Sequence, residues 1–275
     1  MKTSSLITYL FFITFNSITM HAKQVETDNS YTFKDCIIVN EESTISKNND
    51  LEKIKSWQAG EIVNKESILV YGKKNCFCQN SIDSKLFQRI YKKSYKENCT
   101  VPLKDLRYLK VLHVDLKSQI HLGELICHKD ISQDLLDIFE ALFDANYPIE
   151  RMVLIDNYNA EDELSMRDNN TSCFNFRMIS GTHTPSNHST GRAIDINPLY
   201  NPYVRMKGGK TIYQPKTAKA YLNRKNHVPY MIKKGDLCYK LFKRHGFIWG
   251  GDWKSVKDFQ HFEKKQVSTS NNFKE

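Results

Sequence analysis

The sequence predicts an α+β fold in which a small antiparallel sheet is backed by helices. Two runs rich in branched and aliphatic residues, 108–113 and 119–127, are separated by the polar segment 115–118, a pattern typical of a β-hairpin. Apolar residues recur at helical spacing in the segment that follows, 130–145. A hairpin, a helix and later strands in this order favour an antiparallel sheet with helices on one side.

The predicted helix 130–145 has one apolar face, with Ser132 as a candidate cap near its start. Its apolar positions are Ile131, Leu135, Ile138, Phe139, Leu142 and Phe143. Pro148 ends the helical pattern, and residues 149–155 are predicted to form the next strand. Upstream, residues 67–71 are expected to form a short strand that ends at Gly72.

A second helix is predicted over residues 235–245, with Gly246 as its C-terminal stop. Leu237, Leu241 and Phe242 fall on the face expected to be buried. Residues 193–196 are predicted to form a strand that Pro198 ends soon afterwards.

The N-terminal segment 1–22 has the features of a secretory signal peptide. Lys2 supplies a thin positive region, residues 6–15 are apolar, and small and polar residues follow. The apolar run is too short to span a membrane, which takes about 20 residues, and no later stretch approaches that length. We therefore expect an exported protein, periplasmic or extracellular, without a stable membrane span.

Charge and cysteine content bear on partners and on stability. The net charge of +9 favours an anionic partner such as a cell-wall polymer, or else reflects a composition rich in lysine and asparagine. No arginine-aromatic cluster points to nucleic acid. Seven cysteines in an exported chain predict disulfides, with one cysteine left unpaired and a connectivity that the sequence does not give.

Three residues are candidate metal ligands. His188 and Asp195 lie seven residues apart, and a turn at Gly191 is needed to place them on the same side because strand residues alternate between faces. His261 supplies a third ligand from a distant segment. Two imidazoles and one carboxylate suit a catalytic zinc ion with an open fourth position. The alternative is that the three residues have separate structural roles, but an aspartate in an apolar strand is costly unless it is paired.

The motif Ser-x-His-x-x-Gly-x-Ala-x-Asp-Ile, followed downstream by an acidic residue three positions before a histidine, resembles the zinc D-Ala-D-Ala peptidases of the M15, or LAS, type. Residues 172–177, 191–198 and 249–253 also resemble the D-alanyl-D-alanine carboxypeptidase-like branch, and the resemblance extends over about residues 81–263. It implies a LAS-type fold with zinc at the sheet face and a peptidase domain over 81–263. An extension of unknown role, 23–80, would precede this domain, and a flexible polar tail, 264–275, would follow it.

The resemblance also assigns further chemical roles. Asp258 occupies the position of the acid-base carboxylate, and Glu263 is a rival because it shares a strand face with His261. Arg177 matches an arginine that stabilises the oxyanion or binds the substrate carboxylate; the alternative is a surface salt bridge. Ser186 is a candidate to bind substrate, to orient His188 or only to cap a turn.

Two further features remain open at this stage. Asn197 is a candidate partner for the metal ligands, since it shares a strand face with Asp195. Residues 249–253 are expected to form a cleft wall, in which the tryptophans are either core or substrate contacts and Asp252 is either a turn residue or a partner of the ligands.

The resemblance implies an exported zinc metallopeptidase that hydrolyses peptidoglycan stem peptides, most often at a D-Ala-D-Ala bond. Two alternatives stay open: an endopeptidase acting at L-Ala-D-Glu or at a crossbridge, and a catalytically inactive cell-wall binding protein. The scissile bond, the role of residues 23–80 and the oligomeric state do not follow from the sequence.

Overall fold

The computed structural model describes residues 46–179, 181–226 and 228–265. The predicted signal peptide 1–22 and residues 266–275 of the predicted tail lie outside the described residues. Of the predicted extension 23–80, the part from residue 46 onward is described. Among the described residues, no helix combines the length and the apolar character that crossing a membrane requires.

The predicted hairpin is present and longer than expected. Strands β3 (Leu106–Val114) and β4 (Ile120–His128) pair antiparallel along their whole length. Asp115 holds the turn between them because its carboxylate accepts from the backbone N–H groups of Lys117 at 2.8 Å and Gln119 at 2.9 Å. This hairpin is the centre of a four-stranded sheet of order β1-β4-β3-β2.

Both outer strands of this sheet come from the segment that precedes the predicted peptidase domain. Strand β1 (Ile62–Val63) pairs with β4, and strand β2 (Cys78–Asn80) pairs with β3. Residues 46–56 form helix α1, which contributes Ile54 to the core beneath one face of the sheet. The described part of the extension is therefore an integral part of the sheet.

The strand predicted at residues 67–71 is wrong, since this segment lies in helix α2 (Lys65–Tyr71). Asn64 caps the helix by accepting from the backbone N–H of Ser67 at 2.8 Å, and Gly72 ends it with a φ of +91°. The aliphatic residues at 68–70 suggested a strand, but the cap outweighs that local preference.

Helix α4 (Lys129–Asp144) confirms the prediction for 130–145. Its N-terminal cap is His128, whose Nδ1 accepts from the backbone N–H of Asp130 at 3.1 Å. Ser132 is not the cap, because its hydroxyl donates to Gln79 and Lys129 instead. The apolar face of α4 packs against Leu109 and Val111 of β3.

The strand predicted over 149–155 is not formed. This segment makes only isolated bridges at its start, and Ile155–Tyr158 is a short 3-10 helix. The Asn170 side chain hydrogen-bonds both the N–H and the C=O of Val153, at 2.9 and 3.0 Å. Other backbone hydrogen bonds of the segment go singly to Val114, Glu124 and Thr171, so no continuous ladder with one neighbour forms.

Two small sheets carry the C-terminal half. The first has the order β5-β10-β8, from Ala193–Asp195, His261–Glu263 and Ile248–Trp249. The second has the order β7-β6-β9, from Lys210–Gln214, Tyr203–Lys207 and Lys257–Asp258. Helix α3 (Ser84–Ile90) and helix α5 (Asp162–Arg167) are two further short helices.

Helix α6 (Leu237–Arg244) confirms the second predicted helix, and Asp236 caps it by accepting from the backbone N–H of Tyr239 at 2.7 Å. It buries Cys238, Leu241 and Phe242, while Leu237 is only partly buried. The ring of Phe242 stacks on Phe262 of β10, with centroids 4.2 Å apart. The fold is thus a mixed α+β arrangement of small antiparallel sheets and helices, as the sequence predicted in outline.

The prediction of disulfides is wrong for the six described cysteines, all of which are free thiols; Cys36 lies outside the described residues. Cys127, Cys173 and Cys238 are buried in the apolar core, where a thiol packs as a small apolar side chain. Burial raises the pKa of Cys76 to about 12, which keeps this thiol protonated at neutral pH.

Candidate metal centre

A turn at Gly191 places His188 beside Asp195. A short 3-10 helix, Asn187–Thr190, is capped by Ser186 and ends at Gly191, whose φ is +69°. A Cβ atom at this glycine would lie 2.8 Å from the backbone nitrogen of His128, so only glycine fits there. The chain then enters β5, where Ile194 is fully buried in the core and Asp195 faces the opposite way.

Strand β10 brings the third candidate ligand to the same point, because His261 pairs directly with Asp195 in the ladder between β10 and β5. Asp195 Oδ2 lies 3.3 Å from His188 Nε2, and Asp195 Oδ1 lies 3.1 Å from His261 Nδ1. One ligand atom from each of the three residues lies within 4.8 Å of the others. Both histidine rings are buried. The structure therefore brings the predicted set together as a group that could bind a metal ion.

Hydrogen bonds on the far side of each ring fix its orientation. His188 Nδ1 lies 2.7 Å from the carbonyl oxygen of Cys173, which can only accept, so this nitrogen carries the proton. His261 Nε2 donates to Glu263 at 3.3 Å. The nitrogens that remain, His188 Nε2 and His261 Nδ1, both face Asp195. Metal-ligating histidines are held in this way in proteins, with the second nitrogen bound to a carbonyl or carboxylate.

The electrostatics are those of a compact charged cluster. Although burial opposes ionisation of Asp195, the two histidines hold its pKa far below the usual range. Burial likewise opposes a charge on His261, yet hydrogen bonds to Asp195 and Glu263 raise its pKa to about 10. The hydrogen bond from His261 lowers the pKa of Glu263. The carboxylates of Asp195 and Glu263 and the imidazoles of His188 and His261 thus stabilise one another.

The cluster borders a cavity of about 610 Å³, to which Asp258 also contributes. Asp258 and His261 both reach the cavity because a turn separates β9 from β10. Burial raises the pKa of Asp258 to about 7. Its Oδ1 atom is buried and makes no hydrogen bond to any residue in the described part of the chain. The backbone of Gly250 packs closely against Asp258: a Cβ atom at Gly250 would lie 2.6 Å from the Asp258 carbonyl oxygen, so a larger residue would clash.

The rival carboxylate, Glu263, is engaged with its neighbours. It accepts from His261 Nε2 and from the Asn187 side-chain amide. Its carboxylate therefore lies on the outer side of the histidine ring, whereas Asp258 is one of the residues that line the cavity. This geometry distinguishes the two candidates without assigning a role to either.

Arg177 lines the cavity at some distance along the wall and forms an ion pair with Asp162 of α5. Its backbone N–H donates to the Ser189 hydroxyl at 3.0 Å, which links this wall to the turn that carries His188. Ser186 also borders the cavity, and its hydroxyl accepts from the backbone N–H of His188 at 3.4 Å.

Asn197 does not contact the metal candidates. Its side chain accepts from the backbone N–H of Glu150 and donates to the carbonyl of Pro148, so it ties β5 to the neighbouring segment instead. Its φ of +46° explains the mistake, since the backbone leaves the extended conformation there and strand alternation no longer applies.

The two tryptophans of the segment 249–253 have different positions. Trp249 is buried in the core and donates to the carbonyl of Phe259 at 2.9 Å. Trp253 lines the cavity, with its ring centroid 5.4 Å from that of His261. Asp252 accepts from the Tyr239 hydroxyl at 3.3 Å and does not contact the metal candidates.

Sequence reasoning missed several residues of the cavity. The hairpin of β6 and β7 forms one wall through Tyr203, Arg205, Ile212 and Gln214. Gln260 is buried, borders the cavity, and its Oε1 has no hydrogen-bond partner among the described residues. In the sequence, Gln260 is a polar residue next to His261, and no pattern there showed that its side chain would be buried.

Residues 180–264 match the family model described as D-alanyl-D-alanine carboxypeptidase. This region contains the three candidate ligands and Asp258, while Arg177 precedes it. The match supports the resemblance to M15-type peptidases and, with it, a hydrolase. No curated protein and no solved structure matches the chain.

Proposed function

We propose that the protein is an exported zinc-dependent peptidase that hydrolyses peptidoglycan stem peptides at the bond between two terminal D-alanines. The observation that carries this proposal is that an oriented His188–Asp195–His261 set lies in one cavity with Asp258, whose Oδ1 has no hydrogen-bond partner among the described residues. The family match over residues 180–264 supports the same reaction class.

The donor set fits a zinc ion. His188 Nε2, Asp195 and His261 Nδ1 would hold it, and the borderline-soft mixture of two nitrogens and one oxygen is one that zinc accepts in catalytic sites. A zinc ion bound there supplies Lewis acidity, which makes water a nucleophile at neutral pH and polarises the scissile carbonyl. Binding would displace any proton that His261 carries at its ligating nitrogen.

Asp258 is proposed as the acid-base group. It takes a proton from the attacking water and returns it to the nitrogen of the departing D-alanine. A carboxyl whose pKa lies at about 7 exchanges protons in both directions at neutral pH. Its Oδ1 supports this role, since this shielded atom has no hydrogen-bond partner among the described residues and is free to carry the proton.

Glu263 is proposed to orient His261 rather than to act on water. Its hydrogen bond to His261 Nε2 holds the ring with Nδ1 toward Asp195. The additional donor from Asn187 fixes the carboxylate in turn. Outer partners of this kind set the tautomer of a ligating histidine.

Arg177 is proposed to bind the negative charge of the substrate, either the developing oxyanion or the terminal carboxylate, with Ser186 as a neighbouring hydrogen-bonding group. The ion pair between Arg177 and Asp162 is the one observation that favours the endopeptidase alternative. A guanidinium already paired with a carboxylate gains less from a second one, and an endopeptidase does not need to bind a free C-terminus.

A comparison of two substrates tests the scissile bond. A stem pentapeptide with a free C-terminus is expected to lose one D-alanine, and its C-terminal amide is expected to be cleaved much more slowly because the carboxylate contact is missing. Mass spectrometry of the products measures both. Equal rates on the acid and the amide, or release of an N-terminal L-alanine fragment, would overturn the carboxypeptidase proposal and leave an endopeptidase. A zinc-loaded protein that cuts neither peptide nor purified cell wall would be a binding protein only.

A further inference from the structure

A second cavity, of about 510 Å³, lies on the face of the four-stranded sheet away from α4. Tyr108 and Lys110 of β3 line it, and they alternate along the strand with Leu109 and Val111, which pack toward α4. Helix α3 and the end of α1 form the other walls. None of its lining residues borders the cavity of the candidate metal centre.

Arg89, which lines this cavity, forms an ion pair with the buried carboxylate of Glu124. Glu124 has a side chain that is only 1% exposed, and both of its oxygens are bonded by Arg89, at 2.7 and 3.0 Å. The Tyr108 hydroxyl adds a third bond at 2.7 Å, and the backbone N–H of Leu154 adds a fourth at 3.3 Å. Because four donors satisfy Glu124, the guanidinium of Arg89 is held in a single orientation.

Arg89 keeps hydrogen-bonding capacity toward the cavity. A guanidinium carries five N–H donors, and Glu124 takes two of them. The Arg89 side chain is 41% exposed and lines the cavity, so a ligand in the cavity can reach it. A planar group held in this way is suited to bind a carboxylate or a phosphate.

Two lysines add positive charge at the wall. Neither Lys85 nor Lys110 forms an ion pair within the described ranges, and Lys110 Nζ lies 5.3 Å from the ring centroid of Trp57. Asp83 also lines the cavity and caps α3, where its carboxylate accepts from the backbone N–H of Leu86 at 2.7 Å and keeps its negative charge. Because Arg89 is paired with Glu124, the two lysines and Asp83 leave a net positive charge at the wall.

We propose that this cavity binds an acidic saccharide, with its acidic group held by Arg89, Lys85 and Lys110. Asn80 and Ser81 line the same cavity and offer the amide and hydroxyl groups that sugar hydroxyls need. The site would hold the protein on an anionic polymer while the metal centre acts elsewhere. The choice of a cell-wall sugar as ligand rests on the proposed function. The match between the positive wall of the cavity and an acidic ligand is independent of that function.

Isothermal titration calorimetry of the whole chain tests the proposal with three probes: N-acetylmuramic acid, which carries a carboxylate; N-acetylglucosamine, its neutral counterpart; and inorganic phosphate. N-acetylmuramic acid is expected to bind, the neutral sugar is not, and added salt should weaken the binding. The double variant Lys85→Gln/Lys110→Gln should bind at least about tenfold more weakly, since two charge contacts are lost. Lys65→Gln/Lys117→Gln, with the same change in charge on exposed lysines elsewhere, is the matched control and should bind as the unaltered chain does.

Each other result contradicts the proposal. Phosphate binding without N-acetylmuramic acid binding would replace the saccharide by a phosphate ligand. Equal weakening in both double variants would mean a diffuse charge effect, and no binding of any probe would leave no site. Cleavage of a soluble pentapeptide should be unchanged in Lys85→Gln/Lys110→Gln. Binding of N-acetylmuramic acid by a chain that cuts no peptide would refute the proposed function and keep this site.

Discussion

The carboxyl groups of Glu124 and Asp258 have opposite surroundings. Glu124 is buried and receives four hydrogen bonds, including two from a guanidinium, which join α3 to the sheet. Asp258 is half-buried, and its Oδ1 is shielded from solvent yet has no partner in the part of the chain that the structure describes. Burial without hydrogen bonds costs stability, so an unpartnered buried carboxyl is expected where chemistry requires a proton to move. The comparison separates a carboxylate that holds the structure from one that is available to react.

The largest effect is expected at the metal ligands. His188→Ala and His261→Ala should each purify with far less than one zinc ion per chain and lose all peptidase activity, because each removes one of three ligands. Metal content by inductively coupled plasma mass spectrometry measures this. His183→Ala is the control, since His183 is exposed and does not line the cavity. Full zinc occupancy in His261→Ala would remove that residue from the ligand set.

The next effect concerns the unpartnered carboxyl. Asp258→Asn should keep its zinc and its thermal stability but lose roughly two to four orders of magnitude in rate, the usual scale for general acid-base catalysis. Glu263→Gln is the matched comparison: it should lower zinc affinity about 10- to 100-fold, as loss of an outer partner does. If Glu263→Gln shows the rate loss with full zinc while Asp258→Asn stays active, the two roles are exchanged.

Substitution of Glu124, whose hydrogen bonds are satisfied, should lower stability and leave zinc binding unchanged. Glu124→Gln should lower the free energy of unfolding by roughly 2–3 kcal/mol, because the amide cannot accept from Arg89 with both of its atoms. Denaturant unfolding gives this value, and zinc content should not change. Glu97→Gln, which alters an exposed pair with Lys92, should cost about 0.5 kcal/mol or less. A similar small cost for Glu124→Gln would show that the buried pair contributes little to stability.

The smallest expected effect is the pH dependence of stability that comes from the buried histidine His113. Burial lowers the pKa of His113 to about 3, and its Nδ1 donates to the carbonyl of Ile149 at 2.7 Å. The folded state keeps His113 neutral, whereas the unfolded chain takes up a proton below a pKa of about 6.5. Stability is therefore present above pH 6.5 and falls as the pH drops toward 3. At pH 5 the loss is about 2 kcal/mol.

Unfolding of His113→Asn at pH 7.5 and pH 5 checks this, because an amide can still donate to Ile149 but does not titrate. The variant should lose less stability than the unaltered chain between the two values of pH. An equal loss in both chains would assign the acid sensitivity to other groups.

Elements with strong local patterns were predictable from the sequence. Helices α4 and α6 and the hairpin of β3 and β4 follow from periodicity, and the three candidate ligands follow from spacing together with the family resemblance. The prediction of a strand at 67–71 was wrong because the cap at Asn64 favours a helix more than the aliphatic residues favour a strand. The strand predicted at 149–155 failed because its backbone hydrogen bonds are divided between the Asn170 side chain and several separate backbone segments.

The details of the candidate metal centre could not be predicted from the sequence. The pairing of Arg177 with Asp162 and the burial of Gln260 depend on how separate segments pack. The difference between Asp258 and Glu263 depends on the turn between β9 and β10, which alternation along one strand does not describe. The disulfide prediction relied on the predicted export and on the cysteine count, neither of which shows where a thiol lies in the fold.

Strand β10 is the middle strand of its sheet although it is the last strand in the described part of the chain. It also carries His261, so one late segment supplies both the centre of a sheet and a metal ligand. During synthesis, a nascent chain that has not yet reached residue 261 lacks both. On the proposed function, such a chain has no hydrolytic activity, and bond cleavage begins only when the fold is complete. On that proposal, the position of His261 late in the chain makes hydrolytic activity depend on completion of this sheet.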